Sequence, residues 1–331
     1  MAKRNLFIDI LKAVLIILVV IGHCIQFGSG KGYLNSTSFF NNKLFIFIYS
    51  FHMPAFMIIS GYLFGLSKKT NAINVIKNKI NHLLIPIFTW AILTTIIFAI
   101  KEETFNFLTI IKKYIHTSIY SLWFLWAVFY STTVSIIIKV HFNNNIYIHF
   151  LLIIVSFFIP DSLNLGLYKF VYPFFILGYY FHNIKDFIFK HKRTILLIST
   201  IIFIILLFIY NKDSYIYTTG HFITSYYQLY IDIYRYIIGV FGSCCVFMWI
   251  YYLKKYFYRK NSIISYIGQK TMGIYIISDY INLILTKLTK DLQSFNLIYL
   301  TIETCVTIVL SLIIIKCVEQ NVLLKKYLLG S

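Results

Sequence analysis

The stretch Asp9–Cys24 reads DILKAVLIILVVIGHC. An acid and a base stand at one end and a histidine near the other, with hydrocarbon side chains between them. The apolar run around it, 5–27, is long enough to cross a bilayer, since a helix rises about 1.5 Å per residue across about 30 Å of hydrocarbon. Such a run belongs either to lipid or to the interior of a large soluble core, and the rest of the chain decides which.

Of the 331 residues 59% are apolar and only 12% are charged. A soluble domain carries roughly 25% charged residues, so a larger core does not account for the excess and lipid must solvate much of the surface. Aromatic residues make up 19% of the chain, which suits the Tyr and Trp belts of membrane interfaces. The formal net charge of +19 would suggest nucleic acid in a soluble protein. Lys and Arg also gather in the cytoplasmic loops of membrane proteins, so no nucleic-acid partner is expected. The five cysteines (Cys24, Cys244, Cys245, Cys305 and Cys317) fall in apolar runs without CxxC spacing, which indicates neither a disulfide framework nor a metal site. The opening MAKRNLF is like the start of a signal peptide. The apolar run behind it is too long for one, and it reads as a retained first span.

Ten candidate spans follow, at about 5–27, 43–66, 83–101, 119–139, 146–160, 166–184, 194–210, 229–253, 263–286 and 297–316. With the N-terminus in the cytoplasm, 18 basic residues fall on that side, nine on the other and three inside spans. A bias of this sign sustained along the chain supports ten spans with both termini cytoplasmic. The expected fold is therefore an all-α integral membrane protein of about ten transmembrane helices, multi-pass in the cell (inner) membrane. Residues 1–331 are expected to form one membrane domain without a separate soluble domain or an internal repeat. The longest outer connections, near 102–118 and 211–228, are read as loops that shape a mouth.

An ionisable group within a span faces protein or water and has a partner. Asp9 and Lys12 are three apart, hence neighbours on one helix face. Lys12 to His23 is eleven steps of about 100°, which returns to within about 20° of the start and spans about 16 Å along the axis. Asp9, Lys12 and His23 thus lie on one stripe, as in a polar track. His52 falls near mid-depth of the second span, two residues before Pro54, which frees a carbonyl and kinks a helix. Ser60-Gly61 permits close helix approach. Asp232 and Arg235 form an i,i+3 pair and are also candidates for binding a polar acceptor. Lys270 and Asp279 are half a turn out of register, so each needs a partner on another helix, and Glu303 is a candidate partner for Lys270.

These residues resemble a family. Lys12, ten mostly apolar spacers and His23, preceded by FIDILKA, resemble the first span of the membrane acyltransferase-3 family. FHMPAFMIISGYLF (51–64) is similar to its second-span signature, especially in the fucose acetylase-like branch. SLWFLWAVF (121–129) resembles a middle-span Trp-Phe-Leu element, and TMGIYII (271–277) a late Gly-Ile-Tyr element. The resemblance covers essentially the whole chain. It implies transfer of an acyl group, usually acetyl, from cytoplasmic acetyl-CoA to a hydroxyl of an extracytoplasmic glycan, with no metal. On that reading His23 is the catalytic base or a transient acyl carrier, and Lys12, oriented by Asp9, helps hold the donor. Lys68, Lys69, Lys77, Lys79 and His82 attract the coenzyme A phosphates, while His52, Trp123, Asp232, Arg235 and Asp279 are candidates on the acceptor side.

Two departures stand out. Where the family often has Arg-x-x-Arg, this chain has Lys79-x-x-His82, which cannot reproduce an Arg fork on a phosphate. Where a histidine often follows the late Ile-Tyr element, Ser278-Asp279 stands instead. A polar stripe would equally suit a transporter or flippase for a glycan or lipid-linked sugar, and a membrane anchor serving a complex is a third reading.

Overall fold

A computed structural model describes residues 5–28, 38–67, 71–103, 106–257, 263–288 and 297–330. Lys68 and Lys69 lie outside the described residues. The secondary structure of the described residues is all helical, with no strand among them. In chain order the helices are α1 (Leu6–Gly28), α2 (Lys43–Tyr49), α3 (His52–Gly65), α4 (Ala72–Lys79), α5 (Ile85–Lys101), α6 (Phe107–Tyr120), α7 (Trp123–His141), α8 (Ile146–Ser156) and α9 (Leu165–Tyr179). They continue with α10 (Phe181–Lys190), α11 (Lys192–Ile209), α12 (Ile216–Thr219), α13 (Tyr226–Phe257), α14 (Ile263–Gln269), α15 (Thr271–Leu288), α16 (Leu297–Glu319) and α17 (Val322–Leu329). A π-helical turn over Ile80–Leu84 joins α4 to α5.

Among the described residues, seven helical segments are long and apolar enough to cross a membrane: α1, α2–α3, α4–α5, α7, α11, α13 and α16. The apolar helices α8, α9 and α15 are shorter. Each apolar run anticipated from the sequence contains a helix, although that of 146–160 ends at Ser156. The region 102–118 differs from expectation, because α6 occupies most of it rather than a loop. Asn106 caps that helix, its side-chain oxygen accepting from the backbone N–H groups of Leu108 and Thr109.

The first helix is apolar nearly all round, the pattern of a helix buried on every side. Ile10, Ala13, Leu15, Ile16, Val19 and Val20 are almost completely buried, and α1 packs against α2, α3, α13, α14, α15 and α16. The second span is broken at Ser50–Phe51. Pro54 falls in the first turn of α3, where a missing N–H leaves no gap in the helix, and the break puts His52 at a helix start. Farther along, α3 and α9 meet backbone to backbone. A Cβ at Gly61 would overlap the Phe175 carbonyl oxygen, and one at Gly178 would overlap that of Ile58.

Gly61→Val is therefore expected to force α3 and α9 apart and to cost about 2 kcal/mol or more. A lowered thermal midpoint of the purified protein in nanodiscs, with Ser60→Ala as control, checks this.

Candidate active site

The two polar ends of the opening stretch meet different neighbours. Lys12 Nζ lies 3.6 Å from Asp9 Oδ1. Asp9 is buried beneath α14, whose Gly268 leaves no room for a Cβ against the Asp9 carbonyl. Between Lys12 and His23 the stripe is closed by Ile16 and Val19, each 1% exposed. The expected polar track is thus two separate polar places on one helix, with packed side chains between.

At the far end, His23 Nδ1 lies 2.5 Å from Oδ1 of Asp279 on α15. The side chains keep 16% and 38% of their surface accessible, so the pair is held by the bundle and still reachable. The approach lacks hydrogen-bond geometry, but a carboxylate this near Nδ1 electrostatically favours the tautomer with the proton on that nitrogen, which leaves the Nε2 lone pair available. Asp279 stands where the family resemblance led one to expect a histidine, and the partner it requires on another helix is His23. Sequence spacing gave the need for a partner but not its identity.

Polar groups surround this pair. Cys24 Sγ lies 3.6 Å from Asn282 Oδ1, which also accepts from Thr307 Oγ1 at 2.7 Å. Glu303 is buried in α16, and its carboxyl oxygens have no hydrogen-bond partner among the described residues. One turn beyond His23, Gln26 Oε1 accepts from the Tyr49 hydroxyl at 2.9 Å. The Tyr49 ring meets His52 edge-on at 4.7 Å. His52 Nδ1 donates to the Ile48 carbonyl, 2.8 Å away across the helix break.

His52, Trp123 and Arg235 line one small pocket together with Tyr49, Tyr215 and Tyr217. Its volume is about 30 Å³, room for a water or two. Asp232 is not in the lining but pairs with Arg235 at 2.8 Å. The guanidinium is spent on the wall of the pocket. Nε donates to the Ser214 carbonyl, Nη1 to that of Gly220, and Nη2 to those of Asp213 and Tyr215 and to the Thr219 hydroxyl. Arg235 therefore pins the strap 213–220 over the pocket. Asp161, between α8 and α9, holds the strap's continuation. It lies 2.6 Å from Lys169 and accepts from the backbone N–H groups of His221 and Phe222. Partial burial opposes its charge, and these contacts outweigh that and hold its carboxyl below the usual range.

A larger cavity of about 770 Å³ lies at the opposite end of the bundle, where α3 and α16 end and α15 begins. Lys79 and His82 line it, joined by Lys270, Glu319 and Lys325, which sequence reasoning had not assigned there. Asp9, Lys12 and Lys77 are not in its lining, and Lys77 is exposed on α4. Lys270 pairs with Glu319 at 2.5 Å rather than with Glu303. The reason is geometric. Lys270 stands at the start of α15 and α16 returns against it, so the facing acid comes from the end of α16. One wall is closed by α17, where Trp90 Nε1 donates to the Leu328 carbonyl and His82 contacts the Gly330 carbonyl. Among the described residues no group of three or more His, Cys, Asp or Glu is arranged to hold a metal ion.

Seven long apolar segments around a histidine–carboxylate pair, with a pocket at one end and a cationic cavity at the other, define a multi-pass membrane protein with an internal polar site. The chain belongs to the acyltransferase-3 family, for residues 5–316 match its acyltransferase domain. Nodulation protein NolL of Mesorhizobium japonicum is 30% identical over 226 residues, covering 65% of this chain and 59% of that protein. Nodulation protein NolL of Sinorhizobium fredii is 30% identical over 229 residues, covering 65% of this chain and 60% of its own length. The matches thus span about three-fifths of these relatives. No solved structure matches the chain.

The Asp161 contacts carry a pH dependence. A carboxyl whose folded pKa is depressed stabilises the fold above its unfolded pKa, and that contribution is lost as pH falls through the folded value. Acidification below the usual carboxylate range is expected to lower the hydrogen-exchange protection factors of residues 213–222, whereas Asp161→Asn lowers them already at neutral pH and responds less to acid.

Proposed function

We propose that the chain is an integral-membrane O-acyltransferase that moves an acetyl group from cytoplasmic acetyl-CoA to a hydroxyl of a cell-surface or lipid-linked glycan. The observation that carries this reading is the 2.5 Å approach of Asp279 to His23 Nδ1, in a chain of the acyltransferase-3 family. An oriented imidazole with Nε2 unengaged by the carboxylate is the group a hydroxyl needs to become a nucleophile. In the proposed step His23 Nε2 takes the hydroxyl proton while the oxygen bonds to the thioester carbonyl carbon. The carbon–sulfur bond breaks, and His23 returns the proton to the departing thiolate. A transient acyl carrier at the same position would use the same nitrogen.

The two ends of the bundle suit two substrates. Lys79, His82, Lys270 and Lys325 around one cavity offer positive charge to the phosphates of coenzyme A. The aromatic walls of the opposite pocket, with His52 and Trp123, suit the apolar face of a sugar ring once the strap moves. Asp232 and Arg235 serve this site by holding the strap, and Lys12 with Asp9 supports the donor side of α1. Ten crossings within a single membrane domain, with both termini cytoplasmic, complete the proposal. The shorter helices α8, α9 and α15 supply the additional crossings, and the charge bias sets the orientation.

His23→Ala, at unchanged protein level, is expected to abolish acetate release from alkali-treated surface glycan without reducing glycan export. Asp279→Asn is expected to lower kcat by about 10²–10⁴-fold while leaving the donor KM nearly unchanged. Glycan mass spectrometry and an export assay check both. Persistent acetylation in His23→Ala would remove His23 from the chemistry, and lost export with normal acetylation would favour a transporter or flippase.

A further inference from the structure

The cavity at the start of α15 holds one feature that a site for an anion does not need. Its lining brings together Lys79, Lys270, Lys325 and His82, and with them a single carboxylate, Glu319. That carboxylate engages Lys270 with both oxygens, at 2.5 and 2.6 Å. The two side chains are 20% and 27% exposed, shielded enough for the attraction to count and open enough for water or a ligand to compete. Glu319 is the last residue of α16, and α17 begins only at Val322. The carboxylate therefore stands at a helix end, where its side chain can turn away without breaking an interior turn. Across the cavity Glu319 has the shape and charge of a ligand: two oxygens on one ammonium, as a phosphate would present.

We propose that Glu319 is a placeholder for a donor phosphate, neutralising Lys270 while the cavity lacks its anion and giving Lys270 up when a phosphate group arrives. This rests on the reading of the cavity as the coenzyme A site and adds a residue that sets its affinity. Glu319 supplies the one carboxylate in a lining that also holds three lysines and a histidine, so its pair with Lys270 offsets positive charge there. The same pair competes with every incoming anion. Weakly charged or singly charged anions do not displace a carboxylate held by two short contacts, whereas the several negative charges of coenzyme A, spread over Lys79, His82, Lys270 and Lys325, do. Glu319 is thus a specificity-determining residue that favours polyanionic donors over simple phosphate.

The test is calorimetric titration of coenzyme A into the full-length protein in nanodiscs, with thermal midpoints measured for every variant. Glu319→Gln is expected to bind coenzyme A about three- to tenfold more tightly than the parent and to gain measurable affinity for inorganic phosphate. Glu319→Asp, which keeps the charge but shortens its reach, is expected to fall between the two. Lys270→Ala is expected to bind coenzyme A more weakly, and in that background Glu319→Gln is expected to change nothing, because the competitor no longer has a target. Weaker or unchanged binding in folded Glu319→Gln and Glu319→Asp, with binding still lost in Lys79→Ala and His82→Ala, would overturn the placeholder and leave the donor cavity standing. Coenzyme A binding unaffected by Lys79→Ala, His82→Ala and Lys270→Ala alike would overturn the donor cavity itself.

Discussion

An ionised side chain taken from water into a helix bundle loses hydration worth several kcal/mol, and an opposite charge or a dense set of hydrogen bonds must offset that loss. Four ion pairs of this protein meet that requirement, and buried Glu303, without a hydrogen-bond partner among the described residues, stands outside it. His23 with Asp279 ties α1 to α15, and Lys270 with Glu319 ties the start of α15 to the end of α16. Asp161 with Lys169 ties the α8–α9 connection to α9. Asp232 balances Arg235 within α13, and Arg235 holds the strap through its hydrogen bonds to the carbonyls of Asp213, Ser214, Tyr215 and Gly220. The first two pairs each join two different helices and so fix their register. The helix α1 contributes to this through its two ends, and its middle is hydrocarbon, buried at Ile16, Val19 and Val20 and partly buried at Val14, Ile17 and Leu18.

The spans were legible because hydrophobic run length is a local property. Pro54 signalled the break in the second span, although the break itself falls at Ser50–Phe51. The small-residue step Ser60-Gly61 announced a close approach, which Gly61 makes against Phe175. What run length could not give was identity across helices. Helical periodicity says that Lys270 and Asp279 face different neighbours, but not which neighbours, since that depends on the order in which helices assemble. Glu303 was a reasonable partner for Lys270 by span and charge, yet the antiparallel return of α16 brings Glu319 there. The stripe from Asp9 to His23 was geometrically sound, and its reading as a continuous track was not, because Ile16 and Val19 are covered by other helices. The helix over 107–120 was missed for a different reason: its run is short, mixed in polarity and sits in a connection, where the span criterion does not look.

Under the proposed function, the two substrates are separated by the length of one helix bundle. Positive charge gathers at the end where α1 begins, aromatic rings gather at the end where it finishes, and the histidine–carboxylate pair lies toward the second. Membership of the acyltransferase-3 family gives this arrangement its chemistry, and the departures from the family pattern gain meaning within it. Asp279 places a carboxylate 2.5 Å from His23 Nδ1 where a histidine was expected. Lys79 and His82, lacking the Arg fork, share their cavity with Lys270 and Lys325.

The most direct test is a cryo-electron microscopy reconstruction of the chain in nanodiscs with a non-hydrolysable acetyl-CoA analogue. The account predicts the nucleotide phosphates among Lys79, His82, Lys270 and Lys325, with the acyl end extending into the bundle to His23 Nε2 and Asp279 still at Nδ1. A nucleotide bound outside that cavity, or an acyl end remote from His23, would contradict it.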